Sequence, residues 1–160
     1  MSLQSKPSND AEIYERYVDG LFRYATVLVG PDDAADVVSS AVLRVLRSLA
    51  WRSVSDHESY LYRAVTNEAR NLYRSESRRR LREERAPALH SVEIPEPHLE
   101  VRAAIEQLSV RQRAVVFLTY WDDMSDREVA DHLGISVGSV HRHLARARRH
   151  LRKVLDDHVT

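Results

Sequence analysis

The 160-residue chain has no cysteine, only four glycines, two phenylalanines and two methionines. Without cysteine it can hold neither a disulfide nor a thiolate metal site, a composition compatible with the cytoplasm. So little glycine, set among long runs of Ala, Leu, Val, Arg and Glu, favours an all-helical fold. No apolar run approaches the ~20 residues needed to span a bilayer, and the N-terminus carries no signal-peptide pattern, so membrane insertion is not expected. Also missing are a His-Glu-x-x-His pattern, a Gly-rich phosphate loop and a Gly-x-Ser-x-Gly elbow. Eight histidines are present, but His141 and His143, two apart, point away from each other on a helix. No catalytic residue, metal ligand or cofactor is therefore expected, and an enzyme is not.

What is present is charge, and it is sorted. Hydrophobic residues make up 43% and charged residues 30% of the chain, as in a folded globular protein. The formal net charge of zero hides a net −3 over residues 1–60, +4 over 61–90, −5 over 91–135 and +4 over 136–160. Two basic segments alternating with two acidic ones suggest two separate surfaces for a polyanion.

The second basic segment lies in EVADHLGISVGSVHRHLARARRHL, Glu128 to Leu151. Ser125 and Glu128 have capping-box spacing at a helix start, Gly134 suits a helix end at positive φ, and Ser136 can cap a second helix. Val140, Leu144, Ala147 and Leu151 form one seam on that helix, leaving His141, Arg142, His143, Arg146, Arg148, Arg149, Arg152 and Lys153 outside. A small residue at Ala130, glycine four later and Val140 six beyond is the spacing of a DNA-binding helix-turn-helix.

Ahead of it, residues 1–10 read as a frayed N-terminus. A helix is expected from Ala11 to Val29, broken by Gly30 and Pro31. A second starts at Asp32 and Asp33 and runs to about Leu49, its apolar arc wide enough to face either a partner or two neighbouring helices. Trp51 to Ser55 is expected as a loop. A third helix begins at Asp56, with Asn67 and Asn71 as possible interruptions. It ends in a basic run, Arg70, Arg74, Arg78, Arg79, Arg80, Arg82 and Arg85, interleaved with Tyr60, Tyr62 and Tyr73, and aromatics of this kind can stack on unpaired bases. The Pro-rich stretch 86–97 reads as a linker. Helices follow over His98 to Gln107 and Val110 to Trp121. The expected architecture is all-α: a three-to-four-helix bundle over 11–85 and a helix-turn-helix domain over 98–155.

With both halves in view, the chain resembles an extracytoplasmic-function sigma factor, the smallest class of bacterial promoter-specificity subunit, over about residues 11–153. YLYRAVTNEARNLYRSESRRR (Tyr60 to Arg80) is similar to the family's promoter-melting segment. In the second half Leu108, Arg111, Arg113, Val115, Glu128, Ala130, Gly134, Val140, Arg146 and Ala147 fall at recurrent positions of its fourth conserved region.

The resemblance implies a division of labour. The second helix, with Asp36, Val37, Ser39, Ser40, Leu43 and Arg44, would dock on the clamp of core RNA polymerase. Tyr60 and Tyr62 would stack on melted minus-ten bases, Asn67 and Asn71 would bond their edges, and Arg70, Arg74, Arg78 and Arg79 would hold the strand. The recognition helix would enter duplex DNA at the minus-thirty-five element, with Arg142 and Arg146 reading bases, Ser136, Ser139, Arg148 and Arg149 on phosphates, and His141 and Ala145 also at the DNA. An anti-sigma protein is a possible further partner. Two departures stand out: Ser39 and Ser40 replace a Gln–acid pair of the clamp-docking helix, and His141-Arg142-His143 replaces a frequent Lys-Ser-Arg. Protonation of those two histidines is expected to strengthen DNA binding as pH falls through about 6.5. The competing expectation is a regulator with a LuxR-type helix-turn-helix, which would not need the segment Tyr60 to Arg80.

Overall fold

A computed structural model describes residues 9–83 and 99–159, and within them every regular element is helical. The first half holds α1 (Asn9–Val29), α2 (Pro31–Arg47) and α3 (His57–Glu83). The second holds α4 (Leu99–Glu106), α5 (Val110–Tyr120), α6 (Asp126–Leu133) and α7 (Val137–Val159). The expected linker at 86–97 lies outside the described residues. Among the described residues no helix is long and apolar enough to cross a membrane.

Local chemistry sets the element ends. Gly30, at φ +87°, donates to Thr26 O at 2.9 Å, and Pro31 begins α2, where its missing N–H has no helical partner to lose. α2 stops at Arg47, not Leu49, because Ser48 takes extended backbone and its hydroxyl accepts from Ala50 N at 3.3 Å. That bond starts a 3-10 turn over Leu49–Ser53, where a loop was expected. The turn buries Trp51, whose indole Nε1 donates to Asp10 Oδ1 at 2.9 Å, tying it to the start of α1. Asp56 caps α3, accepting from Ser59 N at 3.0 Å and Ser59 Oγ at 2.6 Å. Those two bonds, the hydroxyl's first, hold its carboxyl below the usual carboxylate range. α3 runs on through Asn67 and Asn71, both exposed, so neither side chain competes for the backbone. In the second half Ser109 with Gln112, and Ser125 with Glu128, form complete capping boxes.

The two halves pack on one another. One continuous buried cluster runs from Leu21, Tyr24, Val38, Val65 and Ala69 to Val115, Phe117, Leu118, Val129 and Val140. Tyr24 of α1 lies at its centre, its ring 4.9 Å from Tyr62 of α3 and 5.5 Å from Phe117 of α5. Its hydroxyl is paired with Thr66 Oγ1 at 2.7 Å, and burial pushes its pKa above the usual tyrosine value.

Beside this cluster Arg113 of α5 is buried, 5% exposed. Its Nη1 donates to Leu28 O, at the end of α1, and to Tyr73 Oη of α3, both at 2.6 Å. Its Nε donates to Ile105 O and Leu108 O at 3.1 Å, and its Nη2 to Glu106 O. The guanidinium thus sits where α1 and α4 both expose unpaired carbonyls and the negative ends of their dipoles. Arg113→Met would strand several buried acceptors at a cost of about 3–5 kcal/mol. The melting temperature should drop by roughly 10 °C; a calorimetric scan showing a change under about 2 °C would disprove the role given to this side chain.

Candidate nucleic-acid interface

The helix-turn-helix is built as its spacing requires. Ser125 and Glu128 cap α6; the glutamate carboxyl, bonded by the Ser125 hydroxyl and N–H, is held below its ordinary pKa. Gly134 ends α6 at φ +63°, and Ile135 N reaches back to Ala130 O at 3.1 Å. Ser136 opens α7, its hydroxyl accepting from Ser139 N at 3.1 Å. Val140, Leu144 and Ala147 are buried against the other helices and Leu151 is half-buried, so the seam fixes which side of α7 faces out.

That outer side carries Ser136, His141, Arg142, Ala145, Arg146 and Arg149, all exposed, with Ser139 half-buried at the rim. Arg142 Nη2 donates to Ser139 Oγ at 2.8 Å, and Ser136 Oγ donates to the same oxygen at 3.0 Å. His141 Nε2 lies 2.7 Å from Asp126 Oδ2, so an acid of α6 orients this imidazole. Arg148 leans aside: its Nε donates to Tyr120 Oη at 2.7 Å, and its guanidinium lies 5.7 Å from that ring's centre. The exposed arginines and polar groups give this surface the character that suits a polyanion.

A second basic surface lies on α3. Asn67, Asn71, Arg74, Arg78 and Arg79 are exposed and Arg70 is half-buried. Tyr60 is half-buried, its hydroxyl 3.3 Å from Ser48 Oγ and its ring 6.1 Å from Trp51. Tyr62 departs from expectation. It is 5% exposed, lies between Tyr24 and the ring of His132, and is pushed up to about 12 chiefly by burial. No base can stack on it in this conformation.

On α2 the expected docking residues Asp36, Ser39, Ser40, Leu43 and Arg44 are exposed, whereas Val37 is in the core and cannot touch a partner. Arg44 Nη2 pairs with Glu68 Oε1 of α3 at 2.8 Å. The same side bears Leu46, 43% exposed, and beyond the helix Leu49, 90% exposed, which join Leu43 in an apolar stripe. The wide apolar arc of the sequence contained both Leu46 and Leu49, but periodicity alone could not separate the outer edge of the arc from its buried centre.

The expectation for the two histidines divides. His141 is exposed, but His143 is half-buried, and its Nδ1 is buried without a partner. Burial first, then Arg111, Arg146 and Arg142, lower its pKa. Below about pH 6.5 the unfolded chain therefore takes up a proton that folded His143 resists, so stability falls with pH through that window. His143→Gln should remove this part: its melting temperature should drop less than the parent's between pH 7.5 and 5.5, and equal drops would refute it.

Comparison with known proteins follows the same division into halves. The sigma-70 region 2 family model matches residues 13–79, and the sigma-70 region 4 model matches residues 98–151. The RNA polymerase sigma-E factor of Streptomyces coelicolor is 33% identical over 153 residues, covering 86% of this chain and 85% of that protein. The ECF RNA polymerase sigma factor SigE of Mycolicibacterium smegmatis is 29% identical over 167 residues, covering 95% of this chain and 63% of its own length. Among solved structures, the sigma factor RpoE of Bartonella quintana, crystallised with the anti-sigma factor NepR, shares the fold. Its TM-score is 0.70 at 21% identity, over 91% of this chain and 96% of that one. CnrH, solved with the cytosolic domain of CnrY, shares it at a TM-score of 0.63 and 24% identity, over 96% and 91%. Nothing in these likenesses favours a LuxR-type regulator. With region 2 in its first half and region 4 in its second, this chain belongs to the sigma-70 family, as an extracytoplasmic-function sigma subunit of bacterial RNA polymerase.

Proposed function

We propose that the two halves divide promoter recognition between them. Residues 11–85 dock on core polymerase and open the minus-ten element; residues 98–155 read the minus-thirty-five element. The observation that carries this is the pair of separate basic surfaces, on α3 and α7, in one chain with a bare apolar stripe on α2. In docking, Leu43, Leu46 and Leu49 are the apolar contacts, with Asp36, Ser39 and Ser40 beside them and Arg44 oriented by Glu68. At the minus-ten element Tyr60 stacks on a flipped base, Asn67 and Asn71 bond base edges, and Arg70, Arg74, Arg78 and Arg79 hold phosphates. At the minus-thirty-five element Arg142 and Arg146 read bases, with His141 and Ala145 beside them and Ser136, Ser139 and Arg149 on the backbone. The chain acts by binding, without catalysis of its own, in the cytoplasm where the polymerase works. An anti-sigma protein is a fitting regulator, since RpoE and CnrH were each solved with such a chain or a cytosolic domain bound.

Run-off transcription with core polymerase tests the whole reading; failure to start at any promoter would end it. Arg142→Ala and Arg146→Ala should each weaken binding to the minus-thirty-five duplex by about 1–3 kcal/mol and relax base preference at one position. Tyr60→Ala should leave duplex affinity intact and slow strand opening, read with a fluorescent base analogue in the minus-ten element. Loss of duplex affinity in Tyr60→Ala, or unchanged preference in both arginine variants, would overturn these assignments.

A further inference from the structure

A polar contact joins the two helices of the helix-turn-helix. His141 Nε2 of α7 lies 2.7 Å from Oδ2 of Asp126, the first residue of α6. Both side chains are open to solvent, 59% and 43% exposed. An exposed pair of this kind adds little to stability. What it sets is the chemistry of the ring. A carboxylate only accepts, so the hydrogen of this bond belongs to Nε2. In the neutral imidazole Nδ1 then carries no hydrogen and becomes an acceptor. It meets no hydrogen-bond partner among the described residues.

The outer side of α7 is otherwise short of acceptors. Arg142, Arg146 and Arg149 are donors only. Ser139 Oγ already accepts from Arg142 Nη2 and Ser136 Oγ, and Ser136 Oγ accepts from Ser139 N. In the major groove guanine and thymine present acceptors on their distinguishing edges, whereas adenine N6 and cytosine N4 present hydrogens. Guanidinium groups answer guanine; the bare Nδ1 of His141 answers an exocyclic amino group. The carboxylate behind the ring also disfavours a phosphate there, because like charges repel. A base edge is the fitting partner.

We propose that Asp126 is a positioning residue for promoter specificity. It holds His141 as the Nε2–H tautomer, so that Nδ1 accepts from the amino group of an adenine or cytosine in the minus-thirty-five element and turns away guanine and thymine. Asp126 acts through the ring, not on the base. The proposal rests on the promoter reading of the preceding section and adds to it an acid on the helix before the reading helix. Asparagine in place of Asp126 keeps the size but not the selection, because its amide presents either an oxygen or an N–H and the ring can take either tautomer. With the hydrogen on Nδ1 the same edge would donate to guanine O6 or N7. Neither side chain is buried, so melting temperatures of variants at these two positions should stay within about 2 °C of the parent.

Imidazole nitrogen NMR shifts of the free, histidine-labelled protein at about pH 8, above the ordinary histidine range, read the tautomer without DNA. His141, assigned by its loss in His141→Ala, should show a protonated Nε2 and a bare Nδ1, and Asp126→Asn should blend the two. The opposite or a mixed pattern in the parent would overturn the proposal. Base preference is read at the same pH with the full chain on core polymerase, using duplexes randomised over the minus-thirty-five element of a promoter found by run-off transcription. At one base pair adenine or cytosine should be favoured over guanine and thymine by about three- to tenfold. Asp126→Asn and His141→Ala should each bring that ratio below about twofold, and the double variant no lower, while the preferences set by Arg142 and Arg146 persist. If Asp126→Asn keeps the parent's preference at every position, or loses affinity evenly across all of them, the proposal fails and the promoter reading stands. A parent with no base preference at any position would instead bring down the promoter reading, and the base contact of His141 with it.

Discussion

Arg113 is a cation placed in the interior with five hydrogen bonds, four to backbone carbonyls and one to a phenol. A lysine could not fill this place, because the acceptors lie in different directions and only a planar fork meets them together. Three of the carbonyls come from the ends of two helices and the fourth, Leu108 O, from the turn between α4 and α5, so the charge answers two dipoles while it satisfies groups no helix can pair internally. Much else depends on it. It fixes α5 against both α4 and the end of α1, and α5 in turn carries Phe117 to Tyr24 and one wall of the packing beneath α7.

The charge pattern of the chain makes sense in that frame. α7 is held by a narrow apolar seam of Val140, Leu144 and Ala147, which leaves most of its circumference free for arginine. α3 is apolar around Leu61, Val65 and Ala69 and basic beyond, so one helix serves as core strut at its start and polyanion surface at its end. Both surfaces offer fixed donors and charge, which is what positioning DNA requires.

The helix-turn-helix was fully legible in the sequence, because every device that defines it is local: the Ser125–Glu128 box, Gly134 at positive φ and the Ser136 cap each act within a few residues. Helix existence was equally plain. Side-chain exposure was less so. Val37 and Leu49 both belong to the apolar arc of the second helical stretch, yet one is core and the other bare, and only the positions of α1 and α3 decide which. Tyr62 reads like Tyr60, but the residue opposite it is Gly20, where a Cβ would come within 2.8 Å of its hydroxyl, so the hydroxyl end of the ring packs against α1. Spacing puts His143 on the exposed side of its helix because it gives only an angle, but α5 packs against α7 and leaves the imidazole half-buried with Arg111 nearby. The contact between halves had no signal at all, since its partners, such as Arg63 with Asp131 and Arg113 with Leu28, stand 68 and 85 residues apart.

The two tryptophans lie in opposite surroundings. Trp51 is enclosed and donates to Asp10, whereas Trp121 is 72% exposed and stacked on Phe117, itself in contact with Tyr24 across the junction. A wet indole emits to the red and is open to a quencher dissolved in water, while a sheltered one emits to the blue and is closed to it. The molecule therefore carries two optical reporters that a soluble quencher tells apart, Trp121 for the outer end of α5 and Trp51 for the turn after α2.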